Sequence, residues 1–422
     1  MTNADGQADP TGILLIADGL GDRPVPALGN KTPLEYANTP TLDKLAAEGC
    51  AGLVHPYKPG YRVGTDWGHL CIFGYDPAPF YSGRGSLEAA SAGIDLRPGD
   101  VAFRGNFATF SPEWAVVDRR AGRIRESEDI AQLAAAVDGA EIDGCVFLVK
   151  PLTEHRLALV MRGEGLCGSV PDTDPGTAKE GMPAVNPSLN CPEDAKHTAD
   201  LLWKFLHHAY GAWKDHPVNR RREQEGKLPA NGILTRGSGS AMVLPPMSGL
   251  FPGLKGAVIA GDVTITGIGK LCGLAGFTRP GFTGSGGTDY KGKAKLALEL
   301  LEKYNFVIVH VKATDLCGHD NLPEEKAKVI EHIDGMFKTW LDRINPARTY
   351  LAMTADHSTP CHFREHSGDP VPSFLWGPHV RQDRAGSFGE RACGEGLLNN
   401  YTASGFTRTL MDYLDHNKKL GA

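Results

Sequence analysis

The chain has 422 residues, more than one hydrophobic core usually spans, so two domains or one core with a large insertion are expected. Hydrophobic residues at 41% and charged residues at 22% are ordinary for a globular fold, and a net charge of −6 with mixed signs argues against a nucleic-acid partner. Nine cysteines without a C-x-x-C pair read as reduced thiols; the polar start "MTNADGQADP" is unlike a signal peptide, and no apolar run approaches the ~20 residues of a membrane helix. A soluble, cytoplasmic chain with no membrane association is the expectation.

In chain order, "GILLIADG" is a short apolar run closed by Asp18-Gly19, the pattern of a buried parallel strand. "TPTLDKLAAEG" reads as a helix capped by Thr39, with Pro40 in its first turn and Gly49 at its stop. "GTDWGHL" follows, and its Thr65-Asp66 pair has the local look of a helix N-cap. From 77 to 286 strand-like and helical segments mix with Gly/Pro-dense loops such as "VPDTDPGTAKEGMPAVNPSLNCPED" and "LPPMSGLFPGLKG"; this stretch reads as a second α/β domain inserted into the first. The core then comprises 1–76 and 287–422. In it "NFVIVHV", "TYLAMTADH" and "SFLWG" read as strands, and "EEKAKVIEHIDGMFKTWLDRI" as a helix with Ile330, Ile333, Phe337 and Leu341 on one stripe. Alternating strands and helices imply a parallel α/β sheet.

The chemistry-bearing residues gather where predicted strands end. Asp18 closes the first, Asp315 and His319 follow "VIVHVKAT" as D-x-x-x-H, Asp356-His357 close "YLAMTADH", and His366 comes nine residues later. Loops after the C-terminal ends of parallel strands converge on one rim, where ligands bind. Six oxygen and nitrogen donors, with the Thr65 hydroxyl, exceed one site and fit two; aspartates with neutral imidazoles suit ions such as Zn or Mn. A lone Asp after a strand is ordinarily a helix cap, so the expectation rests on the joint order of these residues. Two glycine-rich stretches carry nothing: "GTDYKGKA" falls short of a phosphate-binding loop because Ala294 lacks the hydroxyl and no apolar strand precedes it, and "GIGKLCG" lacks the G-x-G-x-x-G register.

Long motifs add a family resemblance over nearly the whole chain: "ADGLGDRP", "GNKTPLEYANTPTLDKLAAEG", "GHLCIFGYDP", "YSGRGSLEAASAGIDLRPGDVAFRGNFAT", "EHRLALVMRGEGL", "GTDYKGKAK", "TDLCGHD", "ADHSTP" and "HSGDPVP". With them the chain resembles the alkaline-phosphatase-like metalloenzymes, and within these the archaeal-type branch of cofactor-independent phosphoglycerate mutase. The resemblance implies an alkaline-phosphatase-like parallel-sheet core with a large inserted α/β domain. It implies one metal held by Asp315, His319 and His366, and a second held by Asp18, Asp356, His357 and the hydroxyl of Thr65. The ions would be Mn or Zn, possibly Mg, with no 2,3-bisphosphoglycerate required. In the mutase pattern position 65 is a serine that takes and returns the phosphoryl group; threonine does this work in related nucleotide pyrophosphatases and some phosphonate hydrolases, and either hydroxyl is a competent nucleophile. Trp67 replaces a small polar residue, and filling a core gap is preferred over stacking on substrate. Within the family motifs, Arg84, Arg156 and Arg236 are the expected cations for phosphate and carboxylate, whose geometry a guanidinium matches.

The resulting expectation is an isomerase interconverting 3- and 2-phosphoglycerate through a phosphothreonine at Thr65. A diverged relative acting as hydrolase or transferase on a phosphonate, phosphomonoester or phosphodiester is the alternative, and a non-catalytic metal-binding protein the third class.

Overall fold

The computed structural model describes residues 9–176 and 183–421. Part of the loop expected around "DTDPGTAKEGMP", and the first eight residues, lie outside the described residues. In chain order the strands are β1 (Thr11–Ala17), β2 (Cys50–Val54), β3 (Val101–Phe110), β4 (Val116–Asp118), β5 (Ala140–Ile142), β6 (Cys145–Pro151) and β7 (Arg156–Arg162). They continue as β8 (Gly232–Ser240), β9 (Gly256–Ile259), β10 (Ala275–Phe277), β11 (Phe306–Val311), β12 (Thr349–Thr354) and β13 (Val371–Trp376). The chain divides into two units: Met1–Pro79 with Pro245–Ala422, and Phe80–Leu244.

The first unit holds a seven-stranded sheet of order β10-β9-β11-β1-β12-β13-β2. Strands β1, β11 and β12 are uniformly buried, as continuous apolar runs must be when both sheet faces are covered. They lie side by side in parallel register, so their C-terminal ends share one edge. The sheet is mixed rather than parallel throughout: β13 runs antiparallel to both β12 and β2. The link from β12 to β13 contains no helix to carry a crossover, which leaves the return antiparallel.

The expected domain boundary at 286 is corrected to 244. Strands β9 and β10 join the first unit's sheet, β9 pairing in parallel with β11. At four and three residues they are too short, among Gly and Pro, to show a period.

Two helix details also differ. The helix Pro40–Glu48 has Thr39 at its N-cap position without a side-chain bond; Asp334 Oδ1 instead accepts from the amides of Thr41 (2.8 Å) and Leu42 (2.7 Å). In the helix Pro323–Leu341 the buried stripe ends on Trp340 rather than Leu341, which is half-exposed.

The second unit is an antiparallel sheet of order β4-β3-β7-β6-β5, with β8 also on β3. One face buries Val101, Phe103, Phe107 and Phe147 against Phe205 and Trp213 of the helix Lys196–Trp213. The other face meets the short helix Gly85–Ser91 through Ala89, Ala102, Ala158 and Val160. Beyond that helix, the registers Arg104↔Arg236, Arg104↔Ala158 and Asn106↔Arg156 set three arginines on the same face.

Candidate active site

The loops leaving β1, β11 and β12 carry Asp18, the helix Ala313–His319 and Asp356-His357. The helix Thr65–Ile72 brings the fourth component. Thr65 is its first residue but not its cap: that position is Gly64, with no side-chain cap bond, and Asp66 Oδ1 accepts from the Trp67 amide. The Thr65 side chain is thereby left for other partners, and its Oγ1 lies 3.4 Å from His357 Nε2 and 3.4 Å from Lys312 Nζ. Close approach is possible because position 68 is glycine, where a Cβ would fall 2.4 Å from the Asp356 carbonyl oxygen. His69 Nδ1 donates to the Thr65 carbonyl at 2.7 Å and pins the first turn.

Two groups of donors form. In one, Asp315, His319 and His366 offer atoms all within 4.8 Å of one another; in the other, Asp18, Asp315 and His357 do. Asp315 therefore belongs to both. Asp356 lies beside the second group, its Oδ2 3.2 Å from His357 Nε2 and its Oδ1 accepting from the Gly19 amide.

The imidazole tautomers test whether a cation fits. His319 Nδ1 is 2.9 Å from the Arg364 carbonyl and His366 Nδ1 is 2.8 Å from the Val63 carbonyl. A carbonyl only accepts, so Nδ1 carries the proton and a neutral ring turns its Nε2 lone pair inward. Those lone pairs face Asp315 Oδ1 at 3.4 and 3.6 Å. His357 repeats the pattern, with Nδ1 on the Thr359 hydroxyl and Nε2 3.4 Å from Asp18 Oδ1. Acceptors turned on acceptors around buried carboxylates, each ring oriented from behind by an oxygen, is donor chemistry that fits divalent cations.

The electrostatics of the protein groups agree. Burial, then the neighbouring Asp356, pushes the Asp18 carboxyl up to about 7. Burial works against ionised Asp356 too, yet His357 and His69 hold it well below the usual carboxylate range. Lys312 Nζ lies 3.0 Å from Asp18 Oδ2 and 2.7 Å from Asp315 Oδ2. Burial disfavours its charge, but Asp18, Asp315 and Asp356 together raise it well above the ordinary lysine value. Behind the carboxylates, His310 Nε2 meets Asp18 Oδ2 at 3.0 Å.

Sequence reasoning missed Lys312, His69 and His310. The available signal was "VHVKATD", where a lysine three residues before Asp315 shares its helical face. Trp67 does not fill a core gap: half-buried, it packs edge-on against Tyr57, centroids 5.3 Å apart, and Tyr57 in turn against exposed Tyr61. The lysine of the rejected phosphate-loop stretch, Lys293, is fully buried on the His310 carbonyl, and burial pushes it down to about 8.

The second unit gathers Arg84, Arg156 and Arg236 around a fourth guanidinium, Arg104. Burial and these three cations lower Arg104, against the pull of Glu88 3.7 Å away. Arg236 lies 3.6 Å from Asp174, which Arg119 already holds in a two-point bridge at 2.6 and 2.7 Å. Burial, with Arg156 and Arg120, pushes His155 down to about 4. Arg104 was missed as well; the available signal was its place in "YSGRGSLEAASAGIDLRPGDVAFRGNFAT", the motif that also carries Arg84.

A relative from Methanopyrus kandleri, named 2,3-bisphosphoglycerate-independent phosphoglycerate mutase, is 43% identical over 97% of this chain and 98% of its own length. The chain belongs to this family. The family model of that description matches residues 46–219, and a relative from Methanocaldococcus jannaschii, named as mutase 1, is 42% identical over 97% of this chain and 98% of its own. The cofactor-independent phosphoglycerate mutase of Thermoplasma acidophilum has a similar solved structure: TM-score 0.74 at 34% identity, covering 96% of this chain and 100% of that one. A solved protein of Pyrococcus horikoshii is similar at TM-score 0.83, 36% identity, 98% and 100% coverage. The mutase family is an isomerase family with an α/β fold, as the motifs led one to expect. Among the described residues no helix is long and apolar enough to cross a membrane.

Proposed function

We propose that this mutase-family chain interconverts 3-phosphoglycerate and 2-phosphoglycerate through a phosphothreonine at Thr65, with two divalent ions, Mn or Zn and possibly Mg, and without 2,3-bisphosphoglycerate. The observation that carries this reading is the placement of Thr65 Oγ1, 3.4 Å from both His357 Nε2 and Lys312 Nζ. Asp315, His319 and His366 would hold one ion, and Asp18, Asp356, His357 and Thr65 the other. Such ions lower the pKa of a ligated hydroxyl and neutralise charge on a transferring phosphoryl group.

The chain's own residues then do the following. Thr65 Oγ1 forms a bond to phosphorus as it loses its proton, and the bond from phosphorus to the glycerate oxygen breaks, that oxygen taking up a proton. The other glycerate hydroxyl next attacks the phosphothreonine and loses its proton, and Thr65 Oγ1 regains one. No water or cosubstrate is consumed. Lys312, held charged by three aspartates, serves as a cation beside the attacking oxygen rather than as a base. Arg84, Arg104, Arg156 and Arg236 are the cations of the second unit for the phosphate and carboxylate of the glycerate ester.

Phosphorus NMR of the Mn-loaded protein with 3-phosphoglycerate tests this. The expected result is a resonance for 2-phosphoglycerate growing to equilibrium. Conversion to free phosphate alone would favour the hydrolase alternative, which the threonine at position 65 motivates.

A further inference from the structure

Thr359 is fully buried and every polar group it has is engaged. Its amide donates to the Gly21 carbonyl at 3.0 Å, and its own carbonyl accepts from Lys326 Nζ at 3.0 Å. With the backbone held on both sides and χ1 restricted by the β-branch, the hydroxyl has a fixed position. It accepts from His357 Nδ1 at 3.0 Å and donates to Asp315 Oδ1 at 2.8 Å. Buried threonines ordinarily return the hydroxyl to a carbonyl, as Thr407 does to Ile72. Thr359 instead joins two side chains, one from each proposed ligand group.

The surrounding backbone is shaped for this residue. Gly19 has φ +64, and a Cβ there would fall 2.6 Å from Thr359 Oγ1; a Cβ on Gly318 would fall 2.4 Å from the Thr359 carbonyl oxygen. The loop after β1 and the helix bearing Asp315 and His319 thus both close on Thr359. The hydrogen-bond chain His357 Nδ1–H to Oγ1, Oγ1–H to Asp315 Oδ1, has one polarity. It fixes the His357 tautomer with Nε2 free for a ligand, and it orients Asp315, whose other oxygen is held by Lys312.

We propose that Thr359 is a positioning residue that couples the two ligand groups, so that both depend on one hydroxyl that ligates neither ion. The inference rests on these groups holding metal. Mn²⁺ titration calorimetry of the metal-free full chain tests it on wild type, Thr359→Val and Thr359→Ser, with Thr407→Val as a control for a lost buried hydroxyl elsewhere.

Thr359→Val is expected to weaken both Mn²⁺ binding events about 10–100-fold, the usual cost of losing an outer-shell partner of a ligand. Thr359→Ser should restore both to near wild type, and Thr407→Val should lower thermal stability without changing Mn²⁺ affinity. If Thr359→Val does not fold, Thr359→Cys, similar in size with a weak donor and acceptor, should show the same loss at both sites. Weakening confined to one Mn²⁺, unchanged affinities in Thr359→Val, or no recovery in Thr359→Ser would overturn the coupling alone. A wild type that binds no Mn²⁺ would overturn the metal reading and the coupling with it.

Discussion

In the first unit Asp18, Asp315 and Asp356 are at most 2% exposed, and each has a lysine or imidazole nitrogen within 3.2 Å. In the second unit the Arg236 side chain is 45% exposed, and its carboxylate neighbour Asp174 lies 3.6 Å away, already bridged to Arg119. The difference teaches how each charge set is made ready. Buried carboxylates are tolerable only because cations and oriented rings surround them, so their geometry is fixed by packing before any ligand arrives. The arginines repel one another and remain partly in water, so a bound anion would offset that repulsion. Disturbing the first set should therefore alter the chemical step, and disturbing the second should alter affinity.

Lys312→Met gives the largest expected separation. It keeps the stem and removes the charge beside Thr65, and kcat should fall about 10²- to 10³-fold, the scale of losing one preorganised electrostatic group. KM should move little. A wild-type kcat in this variant would break the contrast at its strongest point.

Arg104→Gln comes next. A charge-assisted hydrogen bond from the partly buried member of the cluster contributes about 1.5–3 kcal/mol, so KM for 3-phosphoglycerate should rise about 10- to 100-fold with kcat nearly unchanged. Arg236→Gln, at the exposed rim, should raise KM only a few-fold. Equal effects at the two positions would show that burial does not grade the cluster. A fall in kcat instead of a rise in KM would place these arginines in the chemical step.

His155 sharpens the contrast through stability. Its folded value of about 4 lies below the ordinary 6.5, so on acidification the unfolded chain takes up its proton first. Stability is then full above about pH 6.5, declines as pH falls from 6.5 towards 4, and changes no further from this group below that. Denaturant midpoints from pH 7 to pH 4 should fall less steeply for His155→Gln than for wild type. Parallel slopes would mean that burial and the neighbouring arginines do not depress this imidazole in the folded state.

The candidate ligand residues were legible because a strand buried on both faces leaves an unmistakable apolar run, and an aspartate close after it stands out. Asp18 and Asp356 follow that rule, whereas Asp315 comes four residues after β11, in the first turn of the next helix. Lys312 was hidden by the same logic, since a lysine at the end of a strand ordinarily marks the return to solvent; only the fold shows it between two aspartates. The helix cap supplied by Asp334 could not be read locally, because the donor and acceptor lie nearly 300 residues apart. Strands β9 and β10 failed for lack of length, which moved 42 residues to the wrong unit (245–286). Nor does spacing reveal that Asp315 serves both donor groups, since sharing is a property of distances.

The central claim is covalent phosphoryl transfer through Thr65, and the most direct measurement is to trap it. Mn-loaded protein is mixed with 3-phosphoglycerate, quenched in acid within one turnover and digested, and the peptides are examined by mass spectrometry. The account predicts phosphate on Thr65 in the wild type, retained capacity for that label in Thr65→Ser, and neither label nor turnover in Thr65→Ala. Full turnover in Thr65→Ala, or wild-type turnover with the phosphate on a different residue, would contradict it.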